Sequence, residues 1–261
     1  MRYDGKVTIV TGGSKGIGEG CTRVFVEAGS KVVFCARNEK EGNKLAEELN
    51  KKGPGEAFFV KADICKAEDI QNMIDVTVKK YGRLDCLINN AGWHPAPTPI
   101  DQFSVEDFQY LLNFNLVSIF TACKFALPHL RKTKGNIINM SSLVGVFGQQ
   151  HGCTYVATKG GITAFTKALA IDEAAHDVRV NVVSPGNIWT PLWKEFADGA
   201  SDPKEMVKGG EDAQPLGRMG TIEEAGKLCL FIAAEATFTT GVDHIISGGA
   251  ELGYGRKTRK A

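Results

Sequence analysis

Val7-Thr8-Ile9-Val10-Thr11-Gly12-Gly13-Ser14-Lys15-Gly16-Ile17-Gly18 decides the fold of this chain. A short β-branched run, Val7–Val10, passes through a glycine-rich turn into a helical pattern over Ile17–Ala28. That is the strand–turn–helix opening of a βαβ unit. Backbone N–H groups at such a helix start, together with its dipole, receive a phosphate group. Gly12, Gly16 and Gly18 supply the tight turn, the close approach to phosphate and the close helix–strand contact of a dinucleotide site, with Ser14, Lys15 and Ile17 filling the rest of the loop. No Gly-Lys-Ser/Thr follows, which disfavours Mg-nucleotide hydrolysis by a P-loop.

The same alternation continues outward. Strand candidates are Val7–Val10, Lys31–Phe34, Ala57–Val60, Cys86–Asn89, Asn136–Met140, Val178–Val183 and Asp243–Ser247. Between them lie helical patterns near Ile17–Ala28, Glu39–Lys51, Ala67–Tyr81, Val105–Leu130, Tyr155–His176 and Glu223–Ala234. Strands and helices in alternation predict an α/β fold, a parallel sheet with helices on both faces; with the dinucleotide loop after the first strand, the expected fold is a doubly wound Rossmann-type sheet of seven strands in the order 3-2-1-4-5-6-7. Nothing in the composition marks an internal linker, so residues 1–261 read as a single domain. The stretch 186–220, rich in proline and glycine with a weak helical pattern, follows the strand ending at Val183. Ligands bind at that edge of an open α/β sheet, so it is expected to be a substrate lid.

Charge and cysteine content narrow the partners. Lys+Arg number 31 against 30 Asp+Glu, a net charge of +1, so no global field would hold nucleic acid or an anionic membrane. No apolar run approaches the roughly 20 residues of a membrane span, and the apolar stretch after the N-terminus is too brief for a signal-peptide core. The seven cysteines are scattered with no C-x-x-C spacing, which fits reduced thiols and a cytoplasmic protein. No H-E-x-x-H or comparable spacing calls for a metal. The run Arg256-Lys257-Thr258-Arg259-Lys260 reads as a solvated tail.

Coenzyme choice is read at the end of the second strand. An acid there would take the adenosine ribose hydroxyls of NAD(H) and repel a 2′-phosphate. This strand ends instead in Ala36-Arg37, and Glu39 and Glu41 fall in the next helix. Arg37 can pair with a 2′-phosphate and Lys15 can add charge from the loop, so NADP(H) is favoured over NAD(H).

Tyr155 and Lys159 stand four residues apart in a helical pattern, which puts both on one face. An ammonium beside a phenol favours the phenolate and can make a base of it. Together with Thr11-Gly12-x-x-x-Gly16-Ile17-Gly18, Asn89-Asn90-Ala91-Gly92, Asn115, Ser141-Ser142 and Pro185-Gly186, this pattern resembles the short-chain dehydrogenase/reductase family over nearly the whole chain. The resemblance implies an NAD(P)-dependent oxidoreductase that interconverts a secondary alcohol and a carbonyl. By it, Ser142 binds the reacting oxygen, Tyr155 moves the proton, Lys159 holds the nicotinamide ribose, and Asn115 anchors the water linking Lys159 to solvent. Asp63 and Ile64, Asn89, Ala91 and Gly92, and Pro185, Gly186, Ile188 and Thr190 would contact the coenzyme.

Leu143-Val144-Gly145, the run Pro185 to Trp193, Gln214 to Gly220 and Gly248 to Gly255 further resemble family members to which oxidation of 17β-hydroxysteroids and of L-fucose is attributed. That resemblance implies a homotetramer, with a 17β-hydroxysteroid as first substrate expectation and L-fucose as the alternative. Ala36 departs from it where an NAD-selecting acid is expected, and bulky Trp93 stands where a smaller histidine is expected. Trp93, His94, Gln149 and Trp193 are the candidate substrate residues, with Gln150, His151 and Trp189 on the same loops. A coenzyme-binding regulatory protein without turnover is the alternative of another class.

Overall fold

The computed structural model describes residues 1–252; Gly253 to Gly255 of the terminal motif and the basic run Arg256 to Lys260 lie outside them. The chain alternates as β1 (Val7–Thr11), α1 (Gly16–Glu27), β2 (Lys31–Ala36), α2 (Glu39–Lys52), β3 (Glu56–Lys61), α3 (Ala67–Tyr81) and β4 (Cys86–Asn89). It continues through α4 (Val105–Leu112), a π-helical turn (Asn113–Val117), α5 (Ser118–Thr133), β5 (Asn136–Met140), α6 (Val144–Phe147), α7 (Cys153–Glu173) and β6 (Arg179–Pro185). Last come α8 (Pro191–Asp198), α9 (Pro203–Asp212), α10 (Ile222–Ala234) and β7 (Asp243–Ile246). The strands form one sheet in the order β3-β2-β1-β4-β5-β6-β7, every pairing parallel, as the alternation predicts.

Side chains alternate across this sheet with period two and build a core on each face. Ile9, Val33, Leu87, Ile137 and Val182 point to the side covered by α3, α5 and α7, where they meet Met73, Ile74, Ala126, Leu130 and Ile162. Val10, Val32, Phe34, Ile88, Ile138 and Val183 point to the other, against Phe25 of α1, Leu45 and Leu49 of α2, and Cys229 and Leu230 of α10. The seven cysteines are all unpaired, and Cys153 is exposed.

Three sequence expectations change. The helix expected over Val105–Leu130 is broken by the π-helical turn, in which the Ser118 N–H bonds back five residues to the Asn113 carbonyl. Secondly, the joined run Val105–Thr133 is, by length and composition alone, long and apolar enough to cross a membrane. Its residues Leu111, Ala122, Cys123, Ala126 and Leu130 are buried, with Ala122, Cys123, Ala126 and Leu130 in the core under the sheet. Thirdly, the stretch 186–220 holds two helices rather than a bare loop. Its prolines start helices: Pro191 and Pro203 occupy the first helical position, behind the N-caps Thr190 and Asp202. The stems of this stretch are tied by a bridge between Ile188 and Gly220. Buried Gln214 ties them again, accepting from the Asn187 N–H at 2.9 Å and donating to the Arg218 carbonyl at 2.6 Å.

Helices α1 and α10 approach to backbone contact at Gly20, where an added Cβ would lie 2.0 Å from the Ile222 carbonyl oxygen. Gly20→Ala is therefore expected to lower unfolding free energy by about 2–3 kcal/mol through overpacking. Urea denaturation checks it, with the solvent-facing Gly209→Ala, whose added Cβ meets nothing within 4 Å, as the control.

Candidate active site

The glycine loop follows β1 at the carboxyl edge of the sheet, beside β4, where the strand order reverses. Within that loop Gly12 and Gly16 adopt φ of +65° and +59°, a region open to glycine. Gly18 lies so close to the strand end that a Cβ would stand 2.2 Å from the Gly12 carbonyl oxygen. The N-cap of α1, Lys15, makes no side-chain capping bond, so the first N–H groups of this helix have no side-chain partner there. A Cβ on Gly16 would meet only Thr190, 3.6 Å away, in the cleft between loop and 186–220 stretch. These features fit a dinucleotide pyrophosphate.

The sequence reading missed what holds this loop. Asn90 donates from its side chain to the carbonyls of Thr11 at 3.0 Å and Gly12 at 3.2 Å. Thr11 Oγ1 in turn accepts from the backbone N–H groups of Asn90 and Ala91 at 3.0 and 3.1 Å. Asn89, expected to face the adenosine, is instead buried and turned into the core, donating to Asn139 Oδ1 at 2.9 Å. The period-two alternation of a strand explains this, because it sends neighbouring side chains to opposite sides. Ile64 packs in the core beneath β3, and Asp63 accepts from the Cys65 N–H at 3.0 Å, folding its carboxylate onto its own turn. Pro185 ends β6, Gly186 bonds to the Ile246 carbonyl, and Ile188 is buried under the bridge to Gly220. Arg37 and Lys15 are exposed, and neither has an ion-pair partner among the described residues.

The catalytic candidates converge as their spacing predicts. Helix α7 carries Tyr155 and Lys159 on one face, with the Lys159 Nζ 5.6 Å from the Tyr155 ring centre. Ser141 anchors the helix by donating to the Lys159 carbonyl at 2.8 Å, and its neighbour Ser142 lies beside Tyr155. Burial pushes the Tyr155 hydroxyl up to about 12, and the nearby Ser142 hydroxyl draws it partly back. Lys159 is buried with its ammonium on the Met140 carbonyl at 2.9 Å, and burial lowers it to about 8. Lys159 thus spends one of its donors on the backbone, and Tyr155 by itself is held as the neutral acid.

Asn115 sits in the π-helical turn, fully buried. Its side chain accepts from the Trp93 N–H at 2.8 Å and donates to the Trp93 carbonyl at 2.9 Å and to Thr158 Oγ1 at 3.1 Å. The amide is fully engaged in fixing the loop after β4. Gly92 lies beside the lysine, since a Cβ there would stand 3.3 Å from Lys159 Nζ.

That fixed loop presents His94 over the tyrosine, ring centres 4.0 Å apart. His94 Nδ1 lies 2.6 Å from the Pro95 carbonyl and so carries a proton; its Nε2 lies 3.0 Å from the Gln149 amide. The Gln149 atom that faces Nε2 is its amide oxygen, Oε1, an acceptor. Phe196 of α8 packs edge-on against His94 at 5.9 Å. Trp93 is 39% exposed and leans on Tyr110, while Trp193 packs against Gly210 inside the 186–220 stretch. Thr190 spends its hydroxyl capping α8 and puts its methyl near Gly16. Gln150, His151 and Trp189 are exposed on the same rim.

A family model described as enoyl-(acyl carrier protein) reductase matches residues 12–251. The chain belongs to the short-chain dehydrogenase/reductase family. Two of its relatives are the L-fucose dehydrogenases of Mus musculus and Bos taurus, each 51% identical over 260 residues, covering 100% of this chain and 93% and 94% of theirs. Among solved structures it is similar to L-sorbose reductase from Gluconobacter frateurii complexed with NADPH and L-sorbose, with TM-score 0.91 and 27% identity over 96% of this chain and 98% of that one. This short-chain dehydrogenase/reductase is an NAD(P)-dependent oxidoreductase acting on CH–OH groups.

Buried Lys159 generates a stability prediction. Its folded pKa of about 8 lies below the ordinary 10.5, so between these values the unfolded chain binds more protons and stability rises with pH. Removing the charge by Lys159→Met is expected to stabilise the protein near pH 7, and the advantage should shrink by up to about 3 kcal/mol from pH 8 to 10.5. Urea titrations at pH 7, 9 and 10 measure it; a pH-independent difference contradicts the buried charge.

Proposed function

We propose that this enzyme oxidises a sugar hydroxyl of the L-fucose type, using NADP(H). The observation that carries the substrate is the 51% identity, across the full chain, to L-fucose dehydrogenases. It moves L-fucose ahead of the 17β-hydroxysteroid expectation. The His94–Gln149 pair supports it, because a polyhydroxylated ligand needs donors and acceptors beside Tyr155. The steroid reading keeps one favouring observation, the apolar walls made by Trp93 and Phe196. For the coenzyme, the support is the Ala36-Arg37 strand end and the unpaired Arg37 and Lys15 at the edge of the glycine loop.

In this reading the alcohol oxygen lies between the Ser142 and Tyr155 hydroxyls. Ser142 donates to it and fixes its direction, and Tyr155 takes its proton as the C–H bond breaks. When bound, the oxidised coenzyme would supply a cationic ring able to take the hydride. That added positive charge and the Lys159 ammonium together bring the tyrosine below its buried value of about 12. Lys159 also presents its N–H donors to the nicotinamide ribose. The Asn115 amide is engaged with Trp93 and Thr158, so a water relaying protons from Lys159 rests on its backbone.

The stretch 186–220 acts as the substrate lid of a single-domain enzyme, its stems fixed by Gln214 and the Ile188–Gly220 bridge and Thr190 riding over the glycine loop. Apolar side chains on the outer faces of α5 and α7, Phe120 at 52% exposure and Ile171 at 78%, support assembly into a homotetramer. The unpaired cysteines fit the cytoplasm.

Tyr155→Phe should lose at least about a hundredfold in kcat and keep coenzyme affinity. Unaltered protein that binds coenzyme but turns over no alcohol in a broad panel would instead support the regulatory alternative. Nicotinamide absorbance with NADP⁺ and NAD⁺ crossed against L-fucose and estradiol ranks the readings by kcat/KM. The highest value belongs to NADP⁺ with L-fucose; higher values with NAD⁺ reduce Arg37 and Lys15 to surface charges.

A further inference from the structure

Arg37 is exposed on the turn after β2, but its guanidinium is not free in space. It lies 5.9 Å from the ring centre of Phe114, a residue of the π-helical turn. Phe114 packs against Tyr110 of α4 with ring centres 6.1 Å apart, and Tyr110 packs against Trp93 at 6.1 Å. Tyr110 also lies beside Cys65, on the turn after β3 that holds Asp63. The Arg37 charge is felt at both Cys65 and Tyr110. Side chains from the ends of β2 and β3 and from the α4–α5 junction thus meet at the adenosine end of the coenzyme cleft.

We propose that Phe114, backed by Tyr110, is the seat that positions the Arg37 guanidinium for a coenzyme 2′-phosphate. NADP(H) selection then depends on the π-helical turn as well as on the residues that follow β2. An unsupported arginine samples many rotamers, and ordering it on binding weakens affinity. An aromatic face beneath the guanidinium holds it by cation–π attraction and leaves its N–H edge for the phosphate. The turn that bears the seat also bears Asn115, which fixes Trp93 at the substrate mouth. Coenzyme selection and the substrate loop therefore share one rigid support. Phe114 acts through Arg37 and is a positioning residue.

This inference rests on the NADP(H) reading, and the test separates the two. Dissociation constants of NADP⁺ and NAD⁺ are measured by calorimetric titration for the unaltered enzyme, Arg37→Ala, Phe114→Leu, Phe114→Tyr and Arg37→Ala/Phe114→Leu. Phe114→Leu is expected to weaken NADP⁺ about two- to fivefold relative to NAD⁺, the size of a cation–π contact. Phe114→Tyr should restore the ratio, and in the Arg37→Ala background Phe114→Leu should leave it unchanged. A selective NADP⁺ loss should appear in its KM and not in kcat. If Arg37→Ala shifts the ratio and Phe114→Leu does not, or weakens both coenzymes equally, the seat is overturned alone. If Arg37→Ala leaves the ratio unchanged, the NADP(H) reading and the seat fall together. Tyr110→Leu, at a half-exposed position, carries the same ratio test should Phe114→Leu not fold.

Discussion

The side chain of Asn90 binds the carbonyls of Thr11 and Gly12 and so joins the loops after β1 and β4 across the point where the strand order reverses. Much of the site depends on that tie. It closes the glycine loop against the sheet, and it sets the direction in which the chain leaves β4 toward Gly92, Trp93 and His94. A parallel sheet splays its loops apart at such a point, and the crevice between them is where a dinucleotide lies. Without a strut the crevice would be a gap between two mobile turns. With it, the two loops behave as one wall.

Asn115 performs the matching task further along. Its buried amide grips Trp93 through both backbone atoms and reaches Thr158 on α7. The substrate loop is thereby referenced to the helix that carries Tyr155 and Lys159. Ser141 completes the frame by bonding to the Lys159 carbonyl and positioning its neighbour Ser142 against the tyrosine. Three polar side chains with no part in proton transfer thus hold four that take part or surround it. The bonds from Asn115 to Thr158 and from Ser141 to Lys159 are buried, where an unmade bond costs about 1–3 kcal/mol, so alternatives to this arrangement are unfavourable.

Electrostatics gives the same framework its chemical bias. Burial holds Tyr155 as a phenol and makes Lys159 reluctant to stay charged, with the Lys159 Nζ 5.6 Å from the tyrosine ring centre. The protein alone is thus poised on the acid side. An oxidised, cationic coenzyme is what favours loss of the tyrosine proton, which ties proton abstraction to coenzyme occupancy.

The order and spacing of Val7–Gly18, Tyr155 and Lys159 determined the fold and the catalytic face, because strand and helix periods are local and fix which residues share a side. Alternation predicted the parallel sheet, and the glycine-rich loop after β1 pointed to the Rossmann strand order. What the sequence misjudged had a non-local cause. Asn89 and Asn90 are chemically alike, and only the register of β4 in the sheet sends one into the core and the other to the loop. Prolines 191 and 203 looked like breakers until their N-caps made them helix starts. The π-helical turn around Asn115 was read as part of one continuous helix, because a single wide turn leaves the flanking helical patterns intact. Phe114 beneath Arg37 joins segments far apart in the chain, a contact that only the packing of α4 and α5 against the sheet could create.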